Sequence, residues 1–130
     1  MTTELYLEDW LGIVRENLVV QLEGLVDENR IYKFSVPDEL TDEELSPCIR
    51  LNIADMRPNN WDNSGVIGYY YEFLIDVWHQ DYHQAFVIGQ HIQQALREMN
   101  FRQTSPVFDE DEDTDLYRDS RTYAGNILIK

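Results

Sequence analysis

His79 and His83 stand four residues apart, with His91 further along the same segment. Histidines in such a cluster are the raw material of a zinc site, which needs three or four ligands converging on one point. Asp81 lies between the first two and reads as a helix N-cap, which leaves His79 outside the helix. The only cysteine, Cys48, is distant in sequence. The three histidines therefore read as surface or rim residues. A second candidate is the acidic run Asp109, Glu110, Asp111, Glu112, Asp113, Thr114, Asp115. A calcium loop sets its carboxylates at fixed alternate positions around a glycine at the sharp turn and ends in a bidentate glutamate. This run contains no glycine, so it reads as a solvated charged loop.

Neither a glycine-rich phosphate loop nor a nucleophile-elbow pattern is present. Carboxylates are so abundant that some pair could always be nominated as acid and base, and abundance does not make a catalytic pair. No catalytic residue, metal site or cofactor is expected. Ten Lys and Arg against 25 Asp and Glu leave a net charge of −15. Gripping a phosphate backbone relies on cations that displace counterions, and anionic lipid makes the same demand. Such a charge favours solubility until a specific partner is met. What remains is a domain that works by binding other proteins.

The elements that must present such a surface can be read from periodicity. At 130 residues and 43% hydrophobic, the chain can fold as a single domain spanning 1–130. It has no apolar run of membrane-spanning length and no secretory leader pattern, and one cysteine excludes an internal disulfide framework. These features predict synthesis in the cytoplasm. Residues Thr3 to Leu25 predict an amphipathic helix with Leu7, Leu11, Val14, Leu18, Leu22 and Leu25 on one stripe and Trp10 at its edge. Glu4, Glu8 and Asp9 suit its positive end. Ile31 to Val36 alternates as a strand with Tyr32, Phe34 and Val36 on one side, and Thr41 and Glu44 have capping-box spacing. Cys48 to Ala54 predicts a second strand, and the stretch 57–65 a polar loop rich in turn-formers.

Val66 to Trp78 carries the strongest strand signal, with Tyr69, Tyr71, Phe73, Ile75 and Val77 on one face. Asp81 opens a helix whose stripe is Ala85, Ile88, Ile92, Ala95, Leu96 and Met99, and Asn100 suits a left-handed cap. Phe101 to Phe108 and Arg121 to Ile129 close the chain as two strands. The predicted class is α+β, a mainly antiparallel mixed sheet of about five strands with two amphipathic helices packed on one face.

Aromatic and apolar residues left over from that core are candidates for a partner interface. Trp61 sits in the polar loop, and Tyr70, Leu74 and Trp78 share the mixed face of the long strand. Ile13 and Val20 lie off the helix stripe, either packed under a neighbouring loop or forming an intermolecular face.

The acidic segment Asp111 to Tyr117, the ending Arg121-Thr122-Tyr123-Ala124-Gly125-Asn126, the strand end Asp76-Val77-Trp78 and the helix end Leu96 to Phe101 together resemble the tail terminator (minor tail, tail-completion) proteins of long-tailed bacteriophages. The resemblance is a pattern of elements over most of the chain, most specific from Tyr69 to Asn126; Asn100 replaces a glycine frequent in that family. It implies a non-enzymatic virion protein that forms a homohexameric ring on the head-proximal end of the tail tube. Such a ring stops tube polymerisation and offers a joint to head-completion or connector proteins. Its partners would be copies of itself, the tail-tube protein and the connector, with no membrane. DNA would pass through without specific binding, past channel or loop acidic residues at 109–113 and 115. Another neck component of the virion and an acidic DNA-mimic inhibitor are the alternative readings.

Overall fold

The computed structural model describes residues 9–37, 40, 41, 44, 46–111 and 115–128, with the side chains of 106–111 outside that description. Leu7, Glu112, Asp113 and Ile129 thus fall outside it. Helix α1 spans Trp10–Gln21, and the Asp9 carboxylate caps it by accepting from the Gly12 N–H at 3.0 Å. Leu11, Val14, Leu18 and Leu22 are buried as their spacing requires. Leu25 is instead exposed and Val26 takes its place in the core. The helix has already ended at Leu22, and Gly24 turns the chain at φ +85°, so a helical period no longer governs position 25. A single 3-10 turn, Glu28–Arg30, follows, capped by Asp27. Arg15 ties α1 to it by donating to the Glu28 and Ile31 carbonyls at 3.0 and 2.9 Å.

Strand β1 is Ile31–Lys33, shorter than its alternation suggests. Phe34 has φ +72° and is exposed, and the chain leaves the sheet there. Ile31, not Tyr32 or Phe34, faces the core. β1 pairs parallel to strand β2, Cys48–Asp62, in the register Ile31↔Ile49. Residues 34–47 supply the dozen or so that a parallel crossover needs. Within them Thr41 and Glu44 bond reciprocally: the Thr41 hydroxyl accepts from the Glu44 N–H at 3.2 Å, and the Glu44 carboxylate accepts from the Thr41 N–H at 3.1 Å.

The stretch predicted as a polar loop is strand. β2 runs on to Asp62 and pairs antiparallel with β3, Gly65–His79, making one long hairpin. Its turn-forming residues are absorbed at register breaks between Ile53 and Asp55, Pro58 and Asn60, and Asn60 and Trp61. The turn itself is closed by Asp62, which accepts from the Ser64 N–H at 2.7 Å, and by Gly65 at φ +122°.

Helix α2, Tyr82–Glu98, starts where Asp81 accepts from the Gln84 N–H at 3.2 Å. It ends in a Schellman motif, with Asn100 at φ +69° and the Phe101 N–H reaching the Leu96 carbonyl at 2.9 Å. β4, Arg102–Asp111, and β5, Leu116–Leu128, form a second antiparallel hairpin. The acidic run is therefore strand as far as Asp111. An edge strand tolerates such charge because one of its sides meets no neighbour.

The sheet order is β1-β2-β3-β5-β4. Both helices cover one face, where Tyr71, Phe73, Ile75 and Val77 meet Leu11, Val14, Leu18, Ile88, Ile92 and Leu96. Phe101 links the layers, edge-on to Phe73 at 5.1 Å and to Trp10 at 5.8 Å. Beneath α2 the same face buries an ion pair. Arg121 donates through Nε and Nη2 to both oxygens of Asp119 at 2.8 Å, and through Nη1 to Gln90 at 2.8 Å and Gln103 at 3.1 Å. Gly89 makes room for it: a Cβ there would lie 2.2 Å from Asp119 Oδ2 and 2.9 Å from Arg121 Nη2.

Asp119→Ala strands a buried guanidinium and is expected to lower unfolding stability in urea by about 3–5 kcal/mol. The paired replacement Asp119→Leu/Arg121→Met should recover most of that loss, since well-packed apolar residues replace buried ion pairs at little cost.

Candidate partner-binding face

The side of the sheet away from the helices is covered at one end only. There Cys48, Trp78 and Leu116 form a second small cluster with Tyr32 and Val36 packed on it. Residues that follow β1 reach this side because Phe34 diverts the chain. The cover is pinned where the Ser46 hydroxyl accepts from the Gln80 N–H at 2.8 Å. Cys48 is fully enclosed, and burial pushes its thiol up to about 12. Next to the cluster Asp76, 2% exposed, accepts from Arg50 Nη2 at 2.6 Å and Nε at 3.1 Å. The Arg50 guanidinium in turn lies 5.1 Å above the Trp78 ring.

Beyond that pair no element covers the sheet among the described residues. Successive cross-strand rows place Asn52, Leu74 and Thr122 together, then Asp55, Glu72 and Ala124, then Arg57, Tyr70 and Asn126. Leu74, Glu72 and Tyr70 are half-buried. The Tyr70 hydroxyl donates to Glu72 at 2.8 Å, and Arg57 stacks 4.5 Å over the Tyr70 ring while pairing with Asp55. The Glu72 carboxylate is also the main reason the Tyr70 hydroxyl is held above its ordinary pKa. Such a surface, aromatic and apolar groups set among satisfied charges, has the composition of a protein interface.

The six apolar candidates do not converge on one patch. Tyr70 and Leu74 lie on the open face. Trp61 is 60% exposed near the tip of the β2–β3 hairpin. Ile13 and Val20 are exposed on α1, across the sheet, and no loop packs over them among the described residues. Trp78 is corrected: at 7% exposed it belongs to the second cluster and to the chain's own packing. Alternation had placed it with Tyr70 and Leu74, and only the crossover decides that its end of the face is roofed. Of the acidic candidates, Asp109, Glu110 and Asp111 end β4, and Asp115 is an exposed turn residue at φ +57°.

His79 accepts from the Asp81 N–H at 2.9 Å, and desolvation lowers its pKa. Among the described residues no three His, Cys, Asp or Glu side chains gather to hold a metal ion. No described helix is long and apolar enough to cross a membrane.

No protein-family model matches the sequence, and no curated protein is similar to it. Among solved structures, the fold is similar to a chain of the virion of a native gene transfer agent particle. The likeness has a TM-score of 0.63 at 15% identity and covers 93% of this chain and 99% of that one.

Trp61 and Trp78 should separate in thermal and urea unfolding. Trp78→Ala removes a buried ring and is expected to cost about 3–5 kcal/mol. Trp61→Ser changes an exposed residue and should stay within about 0.5 kcal/mol of the parent. In the native protein, iodoacetamide should label Cys48 at mildly alkaline pH only as fast as the chain opens, because the thiol is both enclosed and protonated.

Proposed function

We propose that this chain is a structural virion protein, a tail terminator that assembles into a ring on the head-proximal end of a phage-like tail tube. The observation that carries the reading is the likeness in fold, over nearly the whole length of both chains, to a component of a gene transfer agent virion. The C-terminal pattern from Tyr69 to Asn126 supports the finer role.

Three physical features suit it. A single sheet with helices on one side leaves the other side free for a neighbour, and Tyr70 and Leu74 sit there. Exposed Ile13, Val20 and Trp61 lie elsewhere on the surface, as head-to-tail contacts between copies require, since each subunit then uses two different patches. A net charge of −15 keeps DNA from adhering to the wall of a ring through which it passes. On this reading the protein turns over no substrate and holds no cofactor. Its partners are further copies of itself, a hexamer in the terminator reading, together with the tail-tube protein below and a connector above.

The test is light scattering after size-exclusion chromatography, with and without purified tail-tube protein, combined with tube lengths measured by electron microscopy. Ring-sized species and tubes of arrested length are expected. A chain that stays monomeric in both samples and leaves tube length unchanged ends the proposal. Retention by portal or adaptor protein, and not by tube protein, would move the chain to another position in the neck.

A further inference from the structure

In a chain with so few cations, their partners are informative. Arg15, Arg30, Arg50, Arg57 and Arg121 each face a carboxylate, and Arg118 is also engaged. Only Arg97 and Arg102 face no described carboxylate, and both are exposed. They line one open groove of about 400 Å³, together with Tyr70, Asn100, Phe101 and Asn126. The groove exists because β4 starts at Arg102, opposite Ala124, while β5 runs on to Leu128. Residues 125–128 of β5 thus have no strand on their outer side among the described residues. The floor is close-packed: a Cβ on Gly125 would come within 2.7 Å of the Phe101 ring and 2.8 Å of the Asn100 carbonyl. Two guanidinium groups beside a tyrosine ring suit a carboxylate accompanied by an aromatic side chain.

Such a combination stands at the tip of the β2–β3 hairpin. Trp61 is 60% exposed there, and Asp62 follows it at the turn. Asp62 Oδ1 accepts from the Ser64 N–H and from the Ser64 hydroxyl, both at 2.7 Å, which fixes the shape of the tip. A carboxylate offers roughly four acceptor sites, so a guanidinium can still join it. Among the described residues β5 flanks β3 only as far as Gly68, and beyond that the tip projects as a two-stranded ribbon. Five residue steps along β3 separate Gly65 from Tyr70, about 17 Å. The ladder therefore holds the tip away from the groove of its own chain. Groove and tip are complementary between subunits.

We infer that the Arg97–Arg102 groove of one copy receives the β2–β3 hairpin tip of the next. Trp61 packs against the Tyr70 and guanidinium surface, and Asp62 pairs with the two arginines. A contact of this kind joins two different patches and so propagates from copy to copy. It gives a use to the exposed tryptophan, a residue type that commonly anchors interfaces. It also answers an electrostatic need. Copies that each carry −15 repel one another, so association requires a local match of opposite charge. Closure of such a series into a ring rests on the terminator reading; the contact itself does not.

Sedimentation velocity of the full chain at about 0.15 M salt tests it, because repulsion between distant charges is then screened while touching pairs persist. The wild-type chain should associate. Arg97→Glu/Arg102→Glu, which keeps the tip, and Trp61→Ser/Asp62→Asn, which keeps the groove, should each raise the dissociation constant at least about tenfold. Asparagine at position 62 retains an acceptor for Ser64, so the turn is preserved. Mixed one to one, the two variants should form a dimer and nothing larger, because one sound groove and one sound tip remain between them. That dimer also shows that neither variant acts by unfolding. A monomeric wild type, a variant of either kind that associates as the wild type does, or a mixture that stays apart would each overturn the contact. Duplex DNA retained by a monomeric wild type and lost in the groove variant would overturn it too and assign the groove to nucleic acid. Tube-length control in the same variants reads the terminator role separately: association without capping removes that role and leaves the contact standing, and capping without association does the reverse.

Discussion

The structure depends on one strand that must satisfy two different surroundings. β3 lies between β2 and β5, so its backbone is paired along both sides for most of its length. Tyr71, Phe73, Ile75 and Val77 alternate onto the face that both helices cover. Burial of four large side chains in register leaves little freedom to slip, because a shift of one residue would exchange the two faces entirely. Everything else is arranged around that constraint. α1 and α2 close the apolar side, and Phe101 bridges helix and sheet where the Schellman turn delivers it.

Because all the helical cover is on one side, the opposite face has to be managed by other means. At one end the crossover after β1 brings Val36 over Trp78, Cys48 and Leu116, and Arg50 neutralises the buried Asp76. At the other end the face stays open, its charges satisfied in pairs and its apolar groups half-covered. Molecules built this way are prepared for neighbours. The long β2–β3 hairpin points to the same conclusion: residues 56–62 of β2 are exposed, and a two-stranded ribbon has little stability of its own.

Charge adds a second level of organisation. Within the chain almost every described arginine is committed to a local partner, and the pair at Asp119 and Arg121 is buried where its removal would be most costly. Burial pulls the Asp119 carboxyl up in pKa, and the guanidinium beside it pulls it back down in part. Arg97 and Arg102 stand apart from this pattern at the edge of the open face.

Much of this was legible in the order of residues. The helix stripes, the caps at Asp81 and Asn100, the reciprocal bonds of Thr41 and Glu44, the faces of β3 and the order of elements follow from local rules, which act between residues a few positions apart. Tertiary structure decided the rest. Turn-forming residues from Arg57 to Gly65 became strand because β3 offered a partner and bulges absorbed the misfit. Trp78 went inside because a distant segment folded across it, and Arg97 and Arg102 met in one groove because a helix end landed beside Ala124 and Gly125. Local sequence sets which conformations are cheap; long-range pairing sets which side chains share a surface, and no short window of sequence contains that information.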